Sequence, residues 1–264
     1  MFPILYKIGP LTFHTYGLFV ALGVFAGIKI AVWLAERDGF KSKEIEESLY
    51  SLFFYFVMGG LLGGRLLYVL VHWDEFSGDS AGIFKIWQGG LVSYGGLSGA
   101  LAGFLIWHKK NWALPWKKIA DWLSPSIAFG HALGRLGCFS AGCCYGKPTE
   151  EPWSVVFTDP LSLAPLGIPL HPTQIYEFVF LVLLGVFLLM RLAHLMKSAT
   201  RIDGIVFADY LALYSAGRFC IEFFRNDDPR FWGLTPGQIA SLLTFAASIF
   251  LRMRLIPRLD QKVS

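Results

Sequence analysis

The chain has 264 residues, 55% of them hydrophobic and only 16% charged, and carries a net charge of +4. Four cysteines are too few for a disulfide scaffold, and no basic patch suggests a nucleic-acid partner. The composition places the chain among polytopic helical membrane proteins.

The opening Met-Phe-Pro-Ile-Leu-Tyr-Lys lacks the basic start and small-residue cleavage site of a signal peptide, so the first apolar run is expected to be retained as an anchor. Thr12 to Leu34 then reads as a first span, long enough at about 1.5 Å per residue to cross a bilayer, with Lys29 able to snorkel. Ser48 to Val71 is a second span and contains Arg65. After a polar stretch, Leu91 to Trp107 forms a third, in which Gly95, Gly96, Gly99 and Gly103 set small residues at the spacing of tightly packed membrane helices. Ile119 to Phe139 is the fourth and holds Asp121, His131 and Arg135. The stretch of about 140–170, rich in Pro and Gly, reads as the longest extramembrane loop and an ordered one. His171 to Leu195, Gly204 to Phe224 and Pro236 to about Leu255 complete seven spans. The expected fold is therefore all-α: one integral membrane domain over 1–264, with short loops elsewhere. Most of the nine tryptophans fall near span ends, as interface anchors do.

Of the 23 lysines and arginines, fourteen fall on one side of this topology, five on the other and four within spans. The positive-inside rule then puts the N-terminus outside and the C-terminus in the cytoplasm. In that orientation Arg65, Arg135 and Arg218 each lie a few residues before the outer end of an outgoing span. His14, Tyr16, Ser93, Tyr94, His171, Gln174, Tyr176 and Glu177 lie at the outer starts of the others. The expectation is one polar cavity opening outward.

Each of the three arginines follows a glycine, which would let another backbone or a headgroup approach the guanidinium. Facing lipid, the three would cost roughly 8–10 kcal/mol together, so an anionic partner is expected in the interior. Tyr214, Arg218 and Glu222 share one helix face at i, i+4 and i+8, and His131 and Arg135 share another at i, i+4. Arg218 with Glu222 also reads as a plain buried ion pair, and His131 as a packed residue. For Cys138, Cys143 and Cys144, small buried thiols are the favoured reading and a Cys138–Cys143 disulfide the next. A metal site is the least favoured, because no second C-x-x-C or dense histidine partner is present.

Several ordered motifs carry a resemblance: Tyr16-Gly17, Gly63-Gly64-Arg65-Leu66, the run Gln88 to Leu97, Gly134-Arg135-Leu136-Gly137, His171-Pro172-Thr173-Gln174-Ile175-Tyr176-Glu177, and Tyr214-x-x-x-Arg218-Phe219-x-x-Glu222-Phe223-Phe224-Arg225. Together, over nearly the whole chain, they resemble the bacterial prolipoprotein diacylglyceryl transferases. The resemblance implies an inner-membrane enzyme, with its active site toward the outer leaflet. It would move diacylglyceryl from phosphatidylglycerol to the lipobox cysteine of a prolipoprotein and release glycerol phosphate. It implies no cofactor. Its signature arginines correspond to Arg135 and Arg218, and its tyrosine and glutamate of the sixth span to Tyr214 and Glu222.

Two departures stand out: Tyr94 occupies a position where the family's best-known members have histidine, and Cys138 and Cys143 replace an asparagine and a glutamate. A guanidinium suits the leaving phosphate because it binds two oxygens at once, so Arg135 and Arg218 are the expected phosphate clamp. Tyr94 is then a hydrogen-bond donor, and His131, with His171 as runner-up, the base for the acceptor thiol. Arg65, Tyr16, Tyr214, Glu222, Gly95, Gly96, His171 and Gln174 are expected to bind substrate. The alternative is an outward-facing anion or phospholipid transporter or binding protein without catalysis.

Overall fold

The computed structural model describes residues 2–9, 11–40, 43–76, 80–85, 90, 92–111, 114–226 and 231–256. Gln88, Gly89 and Leu91 of the third-span motif, Trp87 and Trp112, and Lys41, Arg230, Arg258 and Lys262 lie outside the described residues. The chain is mostly helical, as its apolar runs require: α1 (Thr15–Arg37), α2 (Lys43–Val71), a short α3 (Trp73–Phe76), α4 (Ser93–Lys110), α5 (Trp116–Ala141), α6 (Thr173–Met196), α7 (Ile205–Glu222) and α8 (Pro236–Leu255). Among these, α1, α2, α6 and α8 are long and apolar enough to cross a membrane. They present large apolar side chains outward, such as Leu62, Leu66, Leu183 and Leu243, on a scale that suits lipid rather than water.

The helical class holds, with two short antiparallel strand pairs added to it. The expected first span begins too early, because Thr12 to His14 belong to a hairpin of β1 (Ile4–Ile8) and β2 (Leu11–His14), pairing antiparallel from Ile4 with His14 to Ile8 with Leu11. Gly9, at φ +56°, makes the turn, and the Thr15 hydroxyl donates to the Phe2 carbonyl at the start of α1. A second antiparallel pair, β3 (Val155–Val156) with β4 (Pro169–Leu170), orders the long loop over a small core of Phe157, Ala164 and Leu170.

Contacts divide the chain into two compact units: residues 35–116, and residues 1–34 with 117–264. In the first, α2 and α4 run antiparallel through facing glycines. A Cβ at Gly99 would overlap the Gly59 carbonyl oxygen, and one at Gly63 would overlap that of Gly95, so only glycine permits this approach. At Gly60 the nearest opposing atom would be 3.6 Å away. Gly99→Ala is therefore expected to destabilise the protein by about 1–3 kcal/mol through overpacking, whereas Gly60→Ala is near neutral; unfolding in detergent measures both.

Trp107 of α4 is fully buried, with Nε1 donating to the Ser48 carbonyl and Ser51 Oγ, each at 3.0 Å. Trp122 of α5 is also fully buried. Neither is an interface anchor: position near a span end does not distinguish a belt tryptophan from a core one. Trp33, Trp73, Trp116 and Trp153 are exposed.

In the second unit, the buried Asp121 carboxylate accepts from the backbone amides of Gly204 (2.8 Å) and Phe207 (2.9 Å). A carboxylate from α5 thereby satisfies the orphan donors that open α7. Asp209 of α7 pairs with Arg191 of α6 and Arg252 of α8, tying the three helices at a level away from Arg218.

Candidate active site

The second unit gathers charge where α5, α6 and α7 meet. Arg135 Nη2 lies 2.8 Å from Glu177 Oε1, and Arg218 Nη1 lies 3.5 Å from Glu177 Oε2. Two guanidiniums on different helices thus converge on the two oxygens of one buried carboxylate. Arg218 Nη2 is also 2.6 Å from Glu222 Oε2, and Arg225 Nε is 3.5 Å from that same oxygen. Glu222 is held from the other side by Thr235, whose hydroxyl donates to Oε1 at 2.8 Å. Thr235 is the N-cap of α8 in a capping box with Gln238, and a Cβ on Gly237 would overlap Glu222. The Glu222 carboxylate therefore rests on the positive end of a helix.

His131 completes the cluster. Its Nε2 accepts from Arg135 Nε at 3.2 Å and lies 3.7 Å from Glu177 Oε1, and its ring leans on Tyr214 at 5.7 Å between centroids. The acceptor role makes it a neutral imidazole with its Nε2 lone pair engaged. Tyr16 packs its ring against Gly137, half a turn beyond Arg135 on α5.

Arg65 differs in kind from the other two arginines. It belongs to the first unit, where Nε donates to the Ile83 carbonyl (2.9 Å), Nη2 to that of Gly82 (2.7 Å) and Nη1 to that of Gly90 (3.2 Å). Its guanidinium carbon also sits 5.4 Å from the Tyr68 ring centre and 5.3 Å from that of Phe76. Among the described residues, three backbone carbonyls are thus partners of its guanidinium. Tyr94 is 71% exposed on α4. Gly95 is used up in packing against Gly63 and Leu67, while Gly96 keeps 3.6 Å to Gly60. The glycines before the arginines also differ: Gly134 faces open space, whereas Gly217 exists to admit the Phe180 ring between α6 and α7.

Gln174 and His171 lie in the first turn of α6 and just before it. Gln174 is buried, and its Nε2 donates to the Cys143 carbonyl at 2.7 Å. His171 Nδ1 is 3.1 Å from the Tyr176 hydroxyl, which accepts from Trp153 Nε1 at 2.7 Å. Trp153, His171 and Tyr176, with Glu151, Cys220, Ile221 and Phe224, line a groove of about 390 Å³. Gly146 lets the loop close there: a Cβ would come within 2.6 Å of both His171 Cβ and the Phe224 carbonyl oxygen. All four cysteines are free thiols; Cys138, Cys143 and Cys144 are only half-buried and Cys220 is exposed, so fully buried thiols are a correction.

Sequence reasoning placed Arg135, Arg218, His131, Tyr214 and Glu222, and the structure brings these five together. Glu177 was expected only at the depth of the polar cavity, not as the centre of the cluster, and Arg225 was given no role. The signal was present in the His-Pro-Thr-Gln-Ile-Tyr-Glu run, an acidic residue one turn inside a span of otherwise apolar sequence.

A helical membrane protein whose interior pairs arginines and carboxylates from separate helices is the class that the fold and site define. Within it, the chain belongs to the prolipoprotein diacylglyceryl transferase family, whose model matches residues 3–254. It is 38% identical, over 95% of its own length and 96% of the other's, to the phosphatidylglycerol–prolipoprotein diacylglyceryl transferase of Clostridium tetani. It is 32% identical to the second such transferase of Clostridium perfringens over 94% of this chain and 93% of that one, and 33% identical to that of Proteus mirabilis over 91% and 87%.

Proposed function

We propose that this protein is a membrane transferase that moves diacylglyceryl from phosphatidylglycerol to the lipobox cysteine thiol of a prolipoprotein, forming a thioether. The observation that carries the reading is the convergence of Arg135 and Arg218 on the two oxygens of Glu177, 2.8 and 3.5 Å away. A carboxylate held between two guanidiniums marks a place built for an anion, and a phosphodiester presents its oxygens in a comparable fork.

In the reaction the acceptor sulfur bonds to the glyceryl carbon, the bond from that carbon to the phosphate oxygen breaks, and glycerol phosphate leaves. Arg135 and Arg218 hold the phosphate and stabilise the charge that develops as it departs, in a setting where preorganised donors outperform water. Glu177 keeps the two guanidiniums aimed when no lipid is bound and yields its place to the phosphate. As Arg135 turns to the lipid, the Glu177 carboxylate and the His131 Nε2 lone pair become free to accept the thiol proton. Glu222, fixed by Thr235 and α8, sets the angle of Arg218. Tyr16 and Tyr214 border the cluster, the groove beside His171 receives the acceptor segment, and Tyr94 is an exposed hydrogen-bond donor on α4. Arg65 and Gly95 serve the first unit's own structure.

The bilayer reading extends to seven spans, since α4, α5 and α7 have 18, 26 and 18 residues, and α5 and α7 carry polar groups of the site within otherwise apolar sequence. The basic-residue bias puts the N-terminus and the site on the outer side of a bacterial inner membrane. Reporter fusions at Lys110 and Gly167 should then report opposite faces; the same face for both contradicts the topology.

Vesicles of headgroup-labelled phosphatidylglycerol test the function itself. Label should leave as glycerol phosphate only when a lipobox peptide with a free thiol is present. Movement of intact lipid or anion without release would support a transporter instead. In the same assay Tyr94→Phe should keep part of the activity, while His131→Ala should lose about 10²-fold, within the range for a positioned proton acceptor. Normal turnover in His131→Ala with a dead Tyr94→Phe would refute the assignment.

A further inference from the structure

The cluster of Cys138, Cys143 and Cys144 has no part in the account above, and sequence spacing alone gave little reason to expect its geometry. The three sulfurs lie within 4.8 Å of one another, although Cys138 ends a helix turn and the other two follow it in the loop. The backbone that presents them is fixed. The Cys143 amide donates to the Cys138 carbonyl at 3.1 Å, the Cys143 carbonyl accepts from Gln174 Nε2 at 2.7 Å, and the Cys144 carbonyl accepts from Thr173 Oγ1 at 2.7 Å. Cys144 is held at φ +60°, a conformation that residues other than glycine seldom adopt. Without that turn two adjacent cysteines would point apart.

A zinc ion bound by thiolates at about 2.3 Å sets its sulfurs about 4 Å apart, so closing this triad on a metal needs shifts of under about 1 Å. We propose that Cys138, Cys143 and Cys144 form a trithiolate site for one thiophilic d10 cation of the Zn2+ class, its fourth position open to an external thiol. Three protein ligands with one open position is the arrangement of a reactive rather than a structural zinc. A thiol that enters that position binds as the thiolate and gives up its proton. Resting on the transferase reading, the acceptor cysteine is the thiol that fits.

The test needs no turnover. Full-length protein in detergent, kept reduced, is loaded with Zn2+ and passed over a chelating column, and zinc X-ray absorption then counts sulfur neighbours. Wild type should retain one zinc per chain with three sulfurs. Cys220→Ser should match it. Each of Cys138→Ser, Cys143→Ser and Cys144→Ser should lower retention at least tenfold. Loading with Cd2+ should give the ultraviolet thiolate-to-metal charge-transfer band in wild type and not in the triple serine variant. Adding a lipobox peptide should raise the count to four sulfurs and release one proton, and a Cys→Ser peptide should do neither. Absence of retained metal in folded wild type, or equal retention by the triple variant, overturns the site. Retained zinc with the count fixed at three overturns the assignment of the open position. Glycerol phosphate release, measured separately, reports on the transferase reading alone.

Discussion

Arg135→Ala and Arg218→Ala are each expected to lower the rate of diacylglyceryl transfer by at least about 10²–10³-fold, the usual cost of removing a preorganised donor to developing charge. Neither change should unfold the protein outright. Without Arg135, Glu177 keeps Arg218 at 3.5 Å; without Arg218, Glu177 keeps Arg135 at 2.8 Å and Glu222 keeps Arg225 and Thr235. Each buried carboxylate thus retains a partner, and loss of rate reports on the anion clamp rather than on folding. Lysine at either position should rescue only in part, because a point charge reproduces neither the fork nor, for Arg135, the additional Nε contact to His131. Initial rates on variants with normal yield and unfolding temperature are the check. Near-normal turnover in either alanine variant would rule out the clamp.

Glu177 should separate binding from turnover. Glu177→Ala strips both guanidiniums of a shared buried carboxylate, and breaking such a pair costs about 3–5 kcal/mol, so this variant should be poorly folded. Glu177→Gln keeps the shape and removes the charge. If the carboxylate holds the anion's place, the glutamine variant should bind phosphatidylglycerol more tightly, since its competitor is neutral, and yet turn over about 10²-fold more slowly for want of the proton acceptor. Lipid titration against single-turnover rates on the same preparation measures both quantities. Unchanged affinity together with an unchanged rate would make Glu177 a structural residue only.

Much of the fold was legible because length and apolarity are one-dimensional properties: they located the seven long helices of the described residues to within a few residues, four of them long and apolar enough to cross a membrane. What escaped was what depends on partners distant in sequence. Arg65, Arg135 and Arg218 look alike as Gly-Arg dipeptides. Arg65 nonetheless donates to the carbonyls of Gly82, Ile83 and Gly90, groups that every sequence has and no pattern advertises. The β1–β2 hairpin hid in apolar sequence that continues smoothly into α1. Trp107 and Trp122 sit near span ends, and only the helices packed around them make them core residues. In the site, i, i+4 spacing found His131 with Arg135 and Arg218 with Glu222, because one helix face is a local matter. Glu177 belongs to a third helix, and its position between the two arginines follows from how α5, α6 and α7 pack. The cysteine cluster depends on one left-handed residue, Cys144, which composition gives no reason to expect.

The central claim is that the arginine pair serves transfer to a thiol, and mass spectrometry of the acceptor tests it most directly. Purified protein is incubated with phosphatidylglycerol of defined acyl chains and a lipobox peptide, alongside the same peptide with serine in place of its cysteine. The account predicts that the cysteine peptide alone gains the mass of one diacylglyceryl group in a linkage that survives thioester cleavage, and that Arg135→Ala abolishes the gain. An unmodified cysteine peptide in the presence of folded protein and bound lipid would contradict it.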